Sequence, residues 1–178
     1  MKKVFIFLTL MGLAFSFAPK AAAQDNPFGA GNILVGAYTG LPTQFSGLRI
    51  PPIGITVEYG ISDFGHGEYG TIGAGVAYEA RMNRQTLLDY DKKYNLWSMQ
   101  LSPYACYHYF FNESLEVHAK AGFGWNNYEV AGLTHRVNTV ALYEFAGASY
   151  FISPALALTA EIGISGVAFL HLGANFVF

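Results

Sequence analysis

Between Leu115 and Asn126 the chain alternates residue by residue. Leu115, Val117, Ala119, Ala121, Phe123 and Trp125 interleave with Glu116, His118, Lys120, Gly122, Gly124 and Asn126. Period two marks an extended strand with two unlike faces, because successive side chains leave the backbone on opposite sides. The pattern recurs with turn residues between the segments. It predicts strands over roughly 32–40, 50–61, 70–82, 96–110, 114–126, 138–151, 155–165 and 167–178.

What those faces meet follows from composition. Hydrophobic residues make up 52% of the chain and charged ones only 12%, against about 25% charge in an average soluble domain. A helical membrane protein needs apolar stretches of about 20 residues. Only the N-terminus comes near, with the run Val4 to Ala18, and elsewhere glycine, proline or a charge breaks every candidate. Lipid admits only helices and closed barrels, so the expected fold is all-β: an antiparallel up-and-down transmembrane barrel.

Lys2 and Lys3 precede the apolar run, and Ala21-Ala22-Ala23 places small residues just before Gln24. That layout predicts a cleavable signal peptide over 1–23, then a short periplasmic segment over 24–31 and a barrel domain over 32–178. Removing Lys2, Lys3 and Lys20 takes Lys+Arg from 10 to 7 against 12 acids, a net charge of −5. Such a chain is no nucleic-acid binder, since phosphate neutralisation needs clustered cations. Cys106 is the only cysteine, which excludes an internal disulfide and a Cys-rich metal site.

Faces can be assigned from charge. The strands hold Glu58, Glu79, Arg81, Glu116, Lys120, Glu144 and Glu161, and all are expected inward with His108, His118 and His171. The outward set includes Ile53, Ile55, Val57, Tyr59, Val76, Tyr78, Leu158, Ile162 and Ile164. A lipid-facing Arg or Lys at the midplane costs about 2–4 kcal/mol, so an uncharged outer face is expected. Inside, isolated ions are costly, and Arg81 and Lys120 are each expected to pair with inward glutamates. Pro103 interrupts the fourth strand and calls for a bulge or a strand end.

Aromatic residues supply an independent pattern. With the first strand running outward, Tyr78, Trp97 and Trp125 fall at extracellular ends and Tyr59, Tyr107, Tyr109, Phe151, Phe176 and Phe178 at periplasmic ends. These are two belts, as at membrane interfaces. The connections Gly40–Arg49, Asn83–Asn95 and Asn127–Val137 are the longer ones and are expected outside, with short turns on the periplasmic side.

The chain closes on Leu170-His171-Leu172-Gly173-Ala174-Asn175-Phe176-Val177-Phe178, apolar at every second position and ending in Phe. Here it resembles the small OmpA/OmpX-like outer-membrane barrels. The resemblance implies an outer-membrane location, surrounding lipid as the lasting partner, and Phe176 and Phe178 as a signal to the barrel assembly machinery. The chain ends at Phe178, so no C-terminal cell-wall-binding module is expected.

No cofactor and no metal are expected, and no enzyme. Glu116 and His118 share a face, but His108 and His171 lie on strands whose relative depth the spacing does not fix. Ser149 and His171 are the only candidates for lipid-modifying chemistry, with His135 alone in a loop. The expected function is structural or surface-interacting: loops engage a host or surface ligand while charged side chains plug the lumen. A narrow solute channel is the alternative reading, and a lipid-modifying enzyme the less favoured one.

Overall fold

The computed structural model describes residues 27–44, 47–64, 70–86, 93–130 and 136–178. The expected signal peptide and His135 lie outside them. Eight strands, β1 (Ile33–Pro42), β2 (Leu48–Phe64), β3 (Gly70–Thr86), β4 (Lys93–Asn112), β5 (Leu115–Val130), β6 (Arg136–Ser153), β7 (Leu156–Ile164) and β8 (Ala168–Val177), pair antiparallel in chain order. β1 closes on β8 through a ladder from Leu34↔Val177 to Pro42↔Ala168. Closure leaves no free edge, as lipid demands of a sheet. Among the described residues no helix is long and apolar enough to cross a membrane, which has no bearing on crossing by strands.

The hydrophobic arrangement of a soluble domain is reversed. Ile53, Ile55, Val57, Phe123, Trp125, Leu142, Leu158 and Ile162 are exposed on the outer wall. Glu58, Glu79, Arg81, Glu116, His118, Lys120, Glu161 and His171 are buried in the interior. Inward glycines make room for them: a Cβ on Gly73 would overlap the Glu58 carboxylate, and one on Gly147 would stand 2.9 Å from His118 Nε2.

Two expectations about the strands need correction. The long connections are overdrawn, because the β3–β4 ladder runs on to Thr86↔Lys93 and the β5–β6 ladder to Glu129↔Arg136. Backbone pairing does not stop where the apolar face ends. Pro103 causes neither a bulge nor a strand end. Its pairing with Val76 on β3 is kept, while on the β5 side bridges are missing between Leu101↔Trp125 and Tyr104↔Gly122, with the register unchanged. The described part of the segment before β1 packs into the adjoining end of the barrel. Phe28 is fully buried, Gly31 N donates to Gly60 O (2.8 Å), and Ala30 N donates to Asp63 Oδ1 (2.9 Å).

The sixth strand is turned over relative to the sequence reading. Tyr143, Phe145 and Ser149 point inward, so Glu144 is exposed on the outer face between Leu142 and Ala146. Its ladder partners are Ala121 and Ile164, both on outward rows. The physical reason is room: Phe145 stacks on His171 with ring centroids 4.0 Å apart, and Tyr143 lies 5.4 Å from Tyr104. Two large aromatics fill a volume that one glutamate would leave open. The same turn carries Phe151 inward, where it is buried, and puts Tyr150 on the outer wall.

Candidate functional site

The interior is one connected set of polar side chains between two caps. At the end that holds the chain termini, Phe28, Leu34, Phe110, Phe151, Ala157 and Val177 form a buried cluster, and the Phe28 ring lies 4.7 Å from the His108 ring. Phe28 is held there by Thr71, whose hydroxyl donates to Phe28 O (3.2 Å). Halfway up, Ala77, Tyr104, Cys106, Tyr143 and Phe145 pack together. At the opposite end Gln100 Oε1 accepts from Gly166 N (2.7 Å), and Asn126 Nδ2 donates to the Tyr128 hydroxyl (3.0 Å).

Between the caps, carboxylates and imidazoles alternate. His108 Nε2 lies 2.5 Å from Glu58 Oε1, and its Nδ1 lies 2.6 Å from Glu116 Oε1. That same Glu116 oxygen is 3.0 Å from His118 Nδ1, and His118 Nε2 is 2.8 Å from Glu161 Oε1. Lys120 Nζ also donates to Glu161 Oε1 (2.6 Å), while His171 Nδ1 is 3.0 Å from Glu161 Oε2. His171 Nε2 lies 2.7 Å from Glu79 Oε1, and that oxygen accepts from the Tyr38 hydroxyl (3.2 Å). Tyr104 donates to Glu58 Oε2 (3.0 Å).

Lys120 therefore meets a glutamate, as its inward position requires. Arg81 is inside but makes no ion pair among the described residues. Its Nη1 donates instead to Thr43 Oγ1 and to Val167 O, both at 2.9 Å, tying β3 to the ends of β1 and β8. Glu144 takes no part, being outside.

The remaining candidates separate. Ser149 donates to Thr159 Oγ1 (3.3 Å) and His171 is engaged by two glutamates, so they form no nucleophile–base pair. Tyr59, Tyr78, Tyr107, Tyr109 and Trp125 are exposed on the outer wall and Trp97 is half-buried. Phe176 and Phe178 are half-buried, with Phe178 N donating to Ile33 O (2.8 Å). Sequence reasoning missed Tyr38, Tyr104 and Phe28. The signal for Phe28 was a lone large apolar residue in the run Asn26-Pro27-Phe28-Gly29-Ala30-Gly31.

An eight-stranded antiparallel cylinder with an apolar exterior and an ionised interior defines a membrane-spanning β-barrel. The model of the outer membrane protein beta-barrel domain matches residues 6–175, and the chain belongs to that family. Among solved structures it is similar to Ail of Yersinia pestis in complex with the heparin analogue sucrose octasulfate. Identity is 16% over 84% of this chain and 99% of that one, with a TM-score of 0.57. It is similar to OprG from Pseudomonas aeruginosa at 12% identity over 86% and 99% of the two chains, TM-score 0.56. For Neisserial surface protein A the values are 15%, 82%, 93% and 0.52. No curated protein matches. The chain is an integral protein of the outer membrane.

Proposed function

We propose that this barrel is closed to solutes and acts through its outer face, as an anchor that presents hairpins to a ligand at the cell surface. The observation that carries the reading is the occupied interior. A path along the axis would have to cross the buried Phe28 cluster, the buried carboxylate–imidazole chain and the part-buried Gln100–Gly166 cap. Eight strands enclose only about enough space for side chains to fill. A channel reading gains no support from that packing.

The hairpins supply the surface. With the chain termini on the periplasmic side, β3–β4 and β5–β6 carry their ladders outward, and Arg49, Arg84 and Arg136 are exposed there. Arg136 is bridged to Glu129 at 3.2 Å. The Ail structure holds a heparin analogue, and a sulfated glycan is a ligand such arginines suit, because guanidinium pairs sulfate oxygens in a bidentate fork. Exposed Tyr59, Tyr107, Tyr109 and Tyr150 on one side and Tyr78 and Trp125 on the other would mark the two membrane interfaces. Phe176 and Phe178 would be read during assembly.

The experiment replaces residues 43–47, 87–92 and 131–135 by short Gly-Ser turns and measures binding of the barrel-bearing cells to immobilised heparin and to host-cell monolayers. Loss of binding with surface level unchanged supports the reading. Unchanged binding, or ion conductance of the intact barrel in planar bilayers, overturns it.

A further inference from the structure

The register of β4 and β5 brings together what spacing alone could not. His108 and His118 are direct ladder partners, and Glu116 is two residues from His118 on the same inward row. Each ring presents Nδ1 to one oxygen, Glu116 Oε1, at 2.6 Å and 3.0 Å. The other nitrogen of each ring is held by a carboxylate, His108 Nε2 by Glu58 and His118 Nε2 by Glu161. With its far N–H given to a carboxylate, each ring can offer the near nitrogen as a ligand in place of its hydrogen bond to Glu116. This is the outer-shell arrangement of metal-bound imidazoles.

Three atoms able to act as ligands are thereby brought into one small buried space. The donor atoms of His108, Glu116 and His118 all lie within 4.8 Å of one another, and all three residues are buried. A second observation points the same way. Glu116 Oε2 is buried with no hydrogen-bond partner among the described residues, a costly state for a carboxylate oxygen.

We infer that His108, Glu116 and His118 form a binding site for a divalent transition-metal cation of the zinc class, with Glu58 and Glu161 orienting the two imidazoles. Two imidazoles and a carboxylate are a donor set Zn2+ takes, with Glu116 Oε2 available as a further ligand. The Phe28 cluster and the Gln100 cap close both ends, so the ion enters as the barrel folds and is retained afterwards. Its role is structural: it ties the inward rows of β4 and β5 together at the centre of the lumen.

The test refolds the chain in detergent with Zn2+ or Co2+, removes loose ion with a chelator, and measures metal by mass spectrometry. The site predicts about one ion retained per folded barrel. Glu116→Gln and His118→Ala are then compared, with folding monitored independently by gel mobility before and after boiling. Metal lost in either folded variant, together with a Co2+ spectrum of nitrogen and oxygen ligation, supports the site. Less than about a tenth of an ion per folded wild-type barrel overturns it. So does full retention in both variants. A cobalt–thiolate band overturns it as well, because it would move the ion to the neighbouring set of Glu58, Cys106 and His108. Should the variants fail to fold, His118→Gln and the wild-type stoichiometry still decide.

Discussion

Glu161 holds three nitrogens at once: its Oε1 faces Lys120 Nζ at 2.6 Å and His118 Nε2 at 2.8 Å, and its Oε2 faces His171 Nδ1 at 3.0 Å. No other carboxylate among the described residues of the interior joins β5, β7 and β8 in this way.

Glu161→Ala therefore strands a buried ammonium. Breaking one side of a buried ion pair costs about 3–5 kcal/mol, while replacing both sides by apolar groups is often neutral. We expect the single variant to lose about that much in reversible urea unfolding from lipid vesicles. The double variant Glu161→Leu with Lys120→Met should recover the part owed to the ammonium, while His118 and His171 still lack their acceptor. Equal losses in both would show that Lys120 gains nothing from its glutamate.

Glu144 lies six residues along β6 from Tyr150 on the outer face. At about 3.3 Å per residue and a tilt of about 45° that is about 14 Å up a band about 25 Å tall, close to its middle. A carboxylate there is unfavourable, though less so than a cation. Glu144→Leu should stabilise the barrel in a bilayer by about 1 kcal/mol and make little difference in detergent micelles, where head groups and water reach the wall. Vesicle unfolding titrations would read a loss of stability instead if the side chain found a partner in the membrane.

Phe28 is fully buried against the His108 ring at the terminal end. Phe28→Ala leaves a ring-sized void, for which large-to-small core changes cost about 3–5 kcal/mol. Tryptophan-monitored unfolding should show that loss. Hydrogen exchange should become faster at the inward-facing positions of β4 and β5 nearest the void. Unchanged exchange would mean that the rest of the cluster closes this end without it.

Phe178 is bonded through its backbone, both N and O pairing with Ile33. Substituting its side chain should therefore spare the folded ladder. Phe178→Ala is expected to lower the amount of folded barrel in cells several-fold while refolding in detergent proceeds at the wild-type rate. Equal loss in both settings would make the ring a packing element rather than an assembly signal.

Much of this architecture was legible in the residues, and the rest was hidden for identifiable reasons. Strands β2, β3, β5, β7 and β8 alternate between unlike chemistries, so their phases can be read directly from Ile53 to Tyr59 or from Leu156 to Ile164. On β6 both rows are largely apolar, and the lone charge of Glu144 pointed the wrong way. Packing of Tyr143 and Phe145 decided the phase, and packing is a property of the neighbours. The meeting of His108 with His118 depends on the relative shift of two strands. That shift is set by the hairpin at Asn112, whose side-chain oxygen accepts from Ser114 N and Leu115 N at 2.9 Å each. Arg81 is buried inside, but its partners there are a threonine and a backbone carbonyl, which no charge pattern announces.

The strands differ in length: β3, β4, β5 and β6 run to 17, 20, 16 and 18 residues, whereas β1, β7 and β8 have 10, 9 and 10. The cylinder is thus a tower on one flank and a low parapet on the other, with the parapet crossed by the tight turn at Ser165–Val167. Whatever docks on this protein meets a backrest instead of a level crown. The wall is low beside β8 and β1 and high beside β4 and β5, so an approach to that rim would be less obstructed from the low flank.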